Sequence, residues 1–432
     1  MTDYEKTLAY MFDCLPMFHR VGAAAYKSGL DNTLALSRLC GAPELNIPSV
    51  HIAGTNGKGS VSHMIASVLQ TQGLKTGLYT SPHLKDFRER IRINGKMIPK
   101  SKVVSFVNNY KKDFASIHPS FFEITFELAM EYFSEQKIDI AVVETGMGGR
   151  LDSTNIIRSV LTIITNIGLD HTQFLGDTLE KIAFEKAGII KPGTTVVIGK
   201  TQEETEKVFL ETASKNKSKI VFADKVFHAN DFRFINQPPF GSTCEIQRDD
   251  KPFFKNVYCA LGGIYQQENI PVVLSAIEQL NAIGYTIEEK NTMRGLKKVI
   301  KNTNLQGRWQ VLSQQPLVIC DTGHNKDGLT QVVTQIKQMQ YNKLHIVFGM
   351  VSDKDIQAII KLMPEDATYY FCKPDIPRGL DVLALQKTAA SAGRNGKAYC
   401  SVAEALSAAR EQAAVNDLIF VGGSTFVVAE VL

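Results

Sequence analysis

A glycine-rich turn at residues 54–60 carries the residue types and spacing that most clearly predict chemistry. It reads Gly-Thr-Asn-Gly-Lys-Gly-Ser and lies between a short apolar run and a stretch with helical periodicity. A strand, a glycine turn and a helix N-terminus form an anion cradle, because backbone N–H groups and the positive end of the helix dipole face a phosphate. Lys58 would add a positive charge near the β- and γ-phosphates, and the Ser60 hydroxyl would face a magnesium ion.

The spacing of this turn departs in one respect from the common phosphate loop. In the pattern G-x-x-x-x-G-K-[ST] the lysine and the hydroxyl residue are adjacent, but here Gly59 separates Lys58 from Ser60. An ordinary glycine turn between strand and helix is therefore the alternative interpretation. The residues predicted to bind the nucleotide phosphates are Thr55, Asn56, Gly57, Lys58, Gly59 and Ser60.

Two further reactive side chains follow predicted strands. Glu144 comes directly after the apolar run 140–143, and His171 lies a few residues after the run 161–165. Ligands of open α/β sheets bind at the carboxyl ends of the strands, where an acid beside a phosphate loop can hold magnesium. A neutral imidazole is also a metal ligand. The alternatives are a helix-capping role for Glu144 and a loop hydrogen bond for His171.

For other polar residues, the surrounding sequence alone does not distinguish a functional role from a structural one. Ser81 lies in a Ser-Pro turn after the run 76–79. Lys186 lies in a helical stretch, where spacing alone indicates a solvated lysine. Arg308 follows a polar segment at 302–307, and an arginine on such a hinge would clamp a polyphosphate or form a structural ion pair. Asp321 comes directly after another predicted strand.

The elements that must position these groups alternate between short apolar runs and helical stretches. Residues 1–45 read as helices, and residues 225–260 alternate aromatic and polar side chains, as in an antiparallel insertion. Near-continuous apolar runs indicate a parallel sheet that is buried on both faces. The predicted strands are 50–53, 76–79, 138–143, 161–165, 194–198 and 219–222, followed by 317–320, 344–348, 368–371 and 418–421.

The polar segment 302–307 separates the two series of strands. The chain has 432 residues, which exceeds the usual size of a single core. We therefore predict an α/β protein with a P-loop, parallel-sheet ATP-binding domain at 1–301 that also holds the substrate site. A linker at 302–307 and a smaller, Rossmann-like α/β domain at 308–432 would follow.

Composition excludes several classes of protein. The chain is 44% hydrophobic and 21% charged with a net charge of +4, and no basic run is interleaved with aromatic residues, so no nucleic-acid partner is expected. No apolar run approaches the ~20 residues that span a bilayer. The seven cysteines are dispersed, and no signal peptide is evident. We predict a cytoplasmic monomer with reduced thiols and no membrane contact.

In the same order along most of the chain, the motifs resemble the bifunctional folylpolyglutamate synthase/dihydrofolate synthase family of the Mur ligase superfamily. The matching segments are HIAGTNGKGS at 51–60, YTSPHL at 79–84, RERI at 88–91, ETGMGGRLDSTN at 144–155, TNIGLDHT at 165–172, IAFEKAGIIK at 182–191, GR at 307–308 and DTGHN at 321–325.

The resemblance implies ligands for the metal and the nucleotide. Ser81, Glu144 and His171 match the magnesium ligands of such enzymes. Lys186 matches a lysine that is carbamylated in the family and then meets a second magnesium ion. The residues implied to approach the nucleotide from elsewhere in the chain are Asn269 at the adenine, Arg308 and Asp321 from the second domain, and His324 near the phosphates.

The resemblance also implies the reaction. An ATP-dependent ligase of this family adds L-glutamate to dihydropteroate and to reduced folates through an acyl phosphate. The implied catalytic set is Lys58, Glu144, His171, Lys186 and His324, with ATP and two Mg²⁺ ions as cofactors. The implied pterin-side residues are Phe121, Phe122, Glu123, Leu151, Asp152 and Ser153. The alternatives are a Mur-type ligase acting on another carboxylate and a P-loop ATPase switch.

Two segments depart from the family pattern. The pattern L-x-G-x-H-Q-x-x-N appears at 261–269 with Tyr265 in place of the usual histidine. A hydrogen bond made by that imidazole must therefore come from the phenol or be lost. The usual D-G-A-H-N reads DTGHN at 321–325, which changes the small residues and keeps the polar ones.

Overall fold

The computed structural model describes residues 1–15, 29–352 and 355–432, and these residues divide into two units. The first unit contains Met1–Asp231, Cys244–Tyr258 and Gln267–Asn304, and the second contains Phe232–Thr243, Cys259–Gln266 and Leu305–Leu432. The chain thus changes unit after residues 231, 243, 258, 266 and 304. Each unit is assembled from three separate segments of the sequence.

An eight-stranded sheet forms the centre of the first unit, in the order β4-β3-β2-β5-β1-β6-β7-β8. Its strands are β1 (Ser49–Ala53), β2 (Thr76–Tyr79), β3 (Ile91–Ile93), β4 (Lys96–Met97), β5 (Ile140–Glu144), β6 (Ser159–Ile164), β7 (Val196–Ile198) and β8 (Ile220–Phe222). The pairs β2–β3 and β3–β4 are antiparallel, and the other pairs are parallel. Every residue of β1, β2 and β5 is buried, which is why these strands read as continuous apolar runs.

Helices cover the sheet of the first unit. They are α1 (Asp3–Cys14), α2 (Asp31–Leu39), α3 (Lys58–Gln72), α4 (Lys100–Ile117), α5 (Phe121–Glu135), α6 (Thr172–Leu175), α7 (Leu179–Ala187), α8 (Glu203–Lys215), α9 (Ala223–Val226), α10 (Gln266–Ala282), α11 (Glu289–Lys297) and α12 (Val299–Thr303). The helical prediction for residues 1–45 includes residues 16–28, which lie outside the described residues. The strand-to-helix succession β1–α3 places the glycine turn where the sequence predicts it.

A three-stranded sheet follows β8 in sequential order, β11-β10-β9. Its strands are β9 (Phe227–Ile235), β10 (Gly241–Arg248) and β11 (Lys251–Cys259). They occupy the region predicted as a meander, because aromatic and polar residues alternate there at the period of a half-buried strand.

The second unit contains a six-stranded sheet in the order β12-β13-β17-β14-β15-β16. Its strands are β12 (Gln310–Gln314), β13 (Leu317–Cys320), β14 (Leu344–Phe348), β15 (Thr368–Phe371), β16 (Gly396–Ala398) and β17 (Leu418–Gly422). Its helices are α13 (Lys326–Gln338), α14 (Ile356–Leu362), α15 (Val382–Ser391), α16 (Val402–Gln412) and α17 (Thr425–Val431). Among the described strands of this sheet, only β12 pairs antiparallel, at one edge.

This architecture confirms the predicted fold class of a parallel-sheet N-terminal domain and a separate α/β domain near the C-terminus. Within the described ranges, no helix combines the length and apolarity needed to cross a membrane. The six cysteine side chains that the structure describes are all free thiols.

Glu127 is an exception in the core of the first unit, where apolar side chains of α5 pack against the sheet. It is fully buried, and neither carboxyl oxygen has a hydrogen-bond partner among the described residues. Burial raises the pKa of Glu127 well above its ordinary value, and the charges of Glu44 and Glu131 raise it further. This carboxyl group is therefore protonated in the folded protein well above the pH at which it ionises in the unfolded chain.

We expect Glu127→Gln to stabilise the protein increasingly as the pH rises. The folded wild type holds a proton that the unfolded chain loses above its lower pKa, so wild-type stability falls with rising pH, and glutamine removes this slope. The advantage of the variant should therefore be larger at pH 8 than at pH 5. Urea unfolding at pH 5 and pH 8 measures it.

The matched control is Glu131→Gln on the same helix. Glu131 pairs with Lys102 at 2.6 Å and accepts the Tyr110 hydroxyl at 2.8 Å, so its replacement should destabilise the fold. A Glu127→Gln advantage that is the same at both pH values would contradict the prediction.

Candidate active site

The glycine turn between β1 and α3 has a backbone conformation that other residues could not adopt easily. Gly54 and Gly57 have φ angles of +149° and +84°, and Gly57 is the N-cap of α3. A Cβ atom on Gly54 would lie 1.8 Å from the Thr165 hydroxyl oxygen, and one on Gly57 would lie 2.4 Å from Asn269 Oδ1. The turn is thus a close-packed cradle at the N-terminus of α3, which is the geometry that a nucleotide phosphate requires.

Hydrogen bonds hold this turn against the segment that follows β6. The Thr55 hydroxyl donates to Gly168 O at 3.1 Å and accepts from the Gly168 amide at 2.9 Å. The Asn56 amide donates to Asn166 Oδ1 at 2.9 Å, and the Thr165 hydroxyl donates to Asn56 O at 2.6 Å. Thr165 and Asn166 were not predicted as site residues, although both lie in the 165–172 motif.

Two lysine side chains converge on one carbonyl oxygen of the turn. Lys58 Nζ donates to Gly54 O at 2.9 Å and to Thr55 O at 3.2 Å, and Lys186 Nζ donates to Gly54 O at 2.8 Å. Lys186 is only 4% exposed. Burial, reinforced by the charge of Lys58, lowers the pKa of Lys186 to about 7. The interpretation of Lys186 as a solvated lysine is therefore wrong, because its side chain enters the interior behind the glycine turn.

Two glycines allow the loop after β5 and the end of α7 to pack closely, which explains the burial of Lys186. Gly149 lies in the loop, and Gly188 is the C-cap of α7. A Cβ on Gly149 would lie 2.8 Å from Glu185 O, and one on Gly188 would lie 2.3 Å from Arg150 Cβ. The Arg150 amide donates to Glu185 O at 2.7 Å, and the two side chains form an ion pair at 2.8 Å. The loop after β5 thereby fixes the end of α7 that carries Lys186.

The candidate metal ligands lie in segments that follow strands of the first unit. Glu144 ends β5, is 4% exposed, and accepts the Ser81 amide at 3.3 Å. His171 caps α6 in the left-handed conformation, and its amide donates to Asp170 Oδ1 at 2.9 Å. The structure brings Ser81 and Glu144 together, and it separately brings Lys58 and Lys186 together.

The donor set suits magnesium bound with a nucleotide. Across the described part of the chain, no group of three or more His, Cys, Asp or Glu side chains is placed to hold a metal ion. Magnesium at phosphoryl-transfer sites takes only one or two carboxylates and completes its shell with substrate phosphates and water. The Glu144 carboxylate beside a phosphate cradle fits this chemistry.

The predicted substrate residues at the start of α5 have different surroundings. Glu123 forms a capping box with Ser120 and accepts the Thr33 hydroxyl at 3.3 Å, so its carboxylate already has protein partners. Phe121 is 2% exposed. Phe122 is half-buried and covers Gly146, where a Cβ would lie 2.5 Å from its ring. Of the three, Phe122 has a ring surface that remains accessible.

Asp152 organises the rest of the predicted substrate loop. It accepts the Met147 amide at 2.8 Å and the Thr154 amide and hydroxyl at 3.0 and 2.6 Å. Burial raises the pKa of its carboxyl group, and these hydrogen bonds oppose the rise. Leu151 and Ser153 beside it are half-buried. Asp152 therefore holds the shape of the loop.

Arg90 and His83 lie in matched motifs but were not predicted as site residues. Arg90 Nε donates to His83 Nδ1 at 2.7 Å, and its guanidinium lies 5.4 Å from the ring centre of Phe121. Arg90 is 1% exposed, and burial lowers its pKa to about 10. The buried Arg90 guanidinium thus lies against an aromatic side chain, and the charges of Glu144 and Glu89 partly oppose the lowering of its pKa.

In the second unit, the Asp321 carboxylate is occupied by the protein itself. Asp321 directly follows β13 and is 2% exposed. Its carboxylate accepts hydrogen bonds from the Tyr265 hydroxyl at 2.6 Å and from the Trp309 and Gly323 amides at 2.7 Å each. Tyr265 thus supplies a hydrogen bond from the position where the family pattern has histidine. Burial raises the pKa of Asp321, and the Tyr265 hydrogen bond opposes the rise.

Two other predicted residues of the second unit, His324 and Arg308, contact backbone carbonyl oxygens. His324 Nδ1 lies 3.0 Å from Thr322 O. Arg308 is half-buried, and its guanidinium donates to Gly307 O at 3.4 Å. The positive charge of Arg308 also lowers the pKa of Asp321, against the effect of burial.

We expect Tyr265→Phe to destabilise the second unit by about 1–3 kcal/mol, because it leaves a buried carboxylate with one donor fewer. Tyr265→His is the matched control, since an imidazole N–H restores a donor. Urea unfolding followed by Trp309 fluorescence measures both. Equal losses in the two variants would contradict the assignment of the effect to this hydrogen bond.

Comparisons with known proteins agree with the motifs. A family described as the Mur ligase middle domain matches residues 52–277, and one described as the Mur ligase, glutamate ligase domain matches residues 307–425. The dihydrofolate synthase/folylpolyglutamate synthase of Bacillus subtilis is 34% identical over 82% of this chain and 82% of its own length. The probable bifunctional folylpolyglutamate synthase/dihydropteroate synthase of Haloferax volcanii is 33% identical over 99% of this chain and 50% of its own length, so the chain spans half of that relative.

Solved structures resemble the chain over nearly its whole length. Escherichia coli FolC in complex with DHPP and ADP has a TM-score of 0.85 and 27% identity, covering 99% of this chain and 96% of FolC. A bifunctional folylpolyglutamate synthase/dihydrofolate synthase with Mn, AMPPNP and L-glutamate bound has a TM-score of 0.82 and 25% identity, covering 99% and 97%. These matches confirm the resemblance drawn from the sequence. By its motifs, its domains and its relatives, the chain belongs to the dihydrofolate synthase/folylpolyglutamate synthase family of the Mur ligases.

Proposed function

We propose that the chain is an ATP-dependent ligase that joins the amino group of L-glutamate to the carboxylate of dihydropteroate and of reduced folates. The observation that carries the proposal is the glycine cradle, with Lys58 and Lys186 converging on Gly54 O and Glu144 at a neighbouring strand end. The relatives bound to ADP with DHPP, and to AMPPNP with L-glutamate, support these substrates. We also propose residues 1–301 as the ATP-binding domain, 302–307 as a linker and 308–432 as the smaller domain. The contact units differ from these bounds, because residues 232–243 and 259–266 belong to the second unit and residues 302–304 to the first.

Phosphoryl transfer would activate the carboxylate, which is otherwise a poor acyl donor. The γ-phosphoryl group moves from ATP to a carboxylate oxygen, giving an acyl phosphate and ADP. The first-turn amides of α3 and the Lys58 ammonium would hold the phosphates, because both present positive charge at the cradle. Ser81, Glu144 and His171 would hold magnesium, which when bound neutralises negative charge on the phosphates.

Amide formation completes the reaction. The amino nitrogen of glutamate attacks the acyl carbon, the C–O bond to phosphate breaks, and inorganic phosphate leaves while the nitrogen loses a proton. Phe122 offers the accessible aromatic surface for the pterin ring in this unit. Arg90 supplies a buried positive charge beside the neighbouring aromatic side chains.

Lys186 would contribute through its neutral amine. Its pKa of about 7 leaves a large neutral fraction at neutral pH, and only the neutral amine adds to carbon dioxide, giving a carbamate and a proton. The product is an anion close to the Lys58 ammonium, where it would meet a second magnesium ion. We propose this modification as the reason for burying a lysine behind the phosphate loop.

The test is phosphate release by the purified protein with ATP and magnesium. Glutamate is added with dihydropteroate or with tetrahydrofolate in separate reactions, and omitting either co-substrate is the control. Phosphate release that requires both glutamate and an acceptor supports the ligase. Comparing the reactions with dihydropteroate and with tetrahydrofolate shows whether the protein catalyses one of the two ligations or both. Release that is independent of glutamate and acceptor would instead favour an ATPase switch.

A further inference from the structure

A polar cavity of about 410 Å³ lies at the end of α3 that is remote from the phosphate loop. Gln70 and Thr71 of α3 form one wall, and Asn94 from the turn between β3 and β4 contributes to another. Gln70 lies about 18 Å along the helix from Lys58, at 1.5 Å per residue. The cavity is therefore separate from the candidate active site, and all its lining residues belong to the first unit.

The remaining lining residues of the cavity are polar or basic and come from α11, α12 and the residue between these helices. Asn291 and Arg294 lie three residues apart on α11, Lys298 lies between the two helices, and Asn302 lies on α12. In the described ranges, neither Arg294 nor Lys298 forms an ion pair with an acidic side chain, and no lining residue is acidic. Both residues are exposed, so two positive charges lie at the same cavity without a counterion among the described side chains.

Gln70 provides a second, independent indication of a ligand. Its Nε2 is buried and has no hydrogen-bond partner among the described residues. The neighbouring amides are already engaged, because Asn302 Nδ2 donates to Thr71 Oγ1 at 3.1 Å and Asn291 Nδ2 donates to Gln72 Oε1 at 2.9 Å. A buried amide donor of this kind lacks an acceptor that an oxyanion would supply.

We propose that this cavity binds a small oxyanion with two or more negative charges, of the phosphate or oligocarboxylate class. The planar guanidinium of Arg294 suits two oxygens of one group, and the Lys298 ammonium adds a point charge. Gln70 donates the neutral hydrogen bond that fixes the position of the anion.

Calorimetric titration of the full chain tests this site. Pyrophosphate and triglutamate are titrated separately at constant ionic strength, with ADP and magnesium present to occupy the phosphate loop. The variant is Arg294→Gln/Lys298→Gln, and the matched control is Lys297→Gln/Lys301→Gln, which removes the same charge from exposed lysines outside the cavity. Because the readout is binding, it does not depend on the proposed reaction.

We expect the cavity variant to bind at least tenfold more weakly and the control to bind like the wild type. Binding of only one of the two titrants identifies the source of the anion. No binding of either titrant, or equal binding by both variants, would overturn the proposal.

Gln70→Met separates ligand binding from a structural role. Methionine keeps the length of the side chain and removes the donor, so anion binding should weaken while the unfolding midpoint without anion stays the same or rises. A fall of the midpoint with unchanged binding would overturn the role of Gln70.

Discussion

Replacing Lys58 with alanine should reduce glutamate-dependent phosphate release by about 10³-fold and leave the fold intact. Among the described residues, the Lys58 ammonium donates only to carbonyl oxygens of the glycine turn, and the side chain is half-buried. Its loss therefore removes a charge from the cradle without opening a core cavity. The stabilisation it gives should be largest when negative charge spreads over the transferred phosphoryl group. Steady-state rates with saturating ATP, together with circular dichroism, measure the effect.

The matched control is Lys181→Ala, which removes a lysine on α7 that is 62% exposed and paired with Asp177. Its activity should equal that of the wild type, because an exposed ion pair contributes little. Ligation by Lys58→Ala at the wild-type rate would sink the assignment of residues 54–60 as a phosphate loop.

Lys186→Met is expected to abolish activity and stabilise the fold at neutral pH. The folded pKa of Lys186 is about 7, against 10.5 for an ordinary lysine, so the unfolded chain binds more protons between these values. Wild-type stability therefore rises with pH from about 7 to 10.5, and below pH 7 the full penalty of burying the charge remains. Methionine removes this penalty, which is at most on the order of 5 kcal/mol.

Urea unfolding of Lys186→Met and wild type at pH 7 and pH 9.5 measures the stability difference, which should shrink at the higher pH. Lys186→Arg is the informative companion, because arginine keeps the charge and cannot become a neutral amine. An arginine variant with normal activity would contradict the carbamate proposal, whereas a stability difference that does not depend on pH would contradict the lowered pKa.

The central strands of both sheets could be predicted from the sequence because burial on both faces makes them apolar throughout. The structure places β13, β14 and β15 at the predicted residues. The short strand β16, Gly396–Ala398, was not predicted, since it contains one glycine, one lysine and one alanine. Such edge strands are defined by their neighbours and have no period of their own.

In the candidate site, too, features formed by consecutive residues could be predicted, whereas features that depend on contacts between distant residues could not. The glycine turn could be predicted because its chemistry lies in consecutive residues. The burial of Lys186 could not, because it depends on Gly149, which is distant in sequence, packing against α7. The capping role of Glu123 was not predicted, although Ser120 three residues earlier completes the S-x-x-E pattern that signals it.

The interleaving of the two units has a consequence for biosynthesis and for recombination between genes. Residues 232–243 and 259–266 belong to the second unit but are translated before Leu305–Leu432. These two segments therefore cannot make their contacts within the second unit until the later residues have been synthesised. Tyr265 is among them, and its partner Asp321 is synthesised later. A crossover that exchanged only the last stretch of the gene would therefore deliver Asp321 to a phenol or imidazole inherited from the other parent.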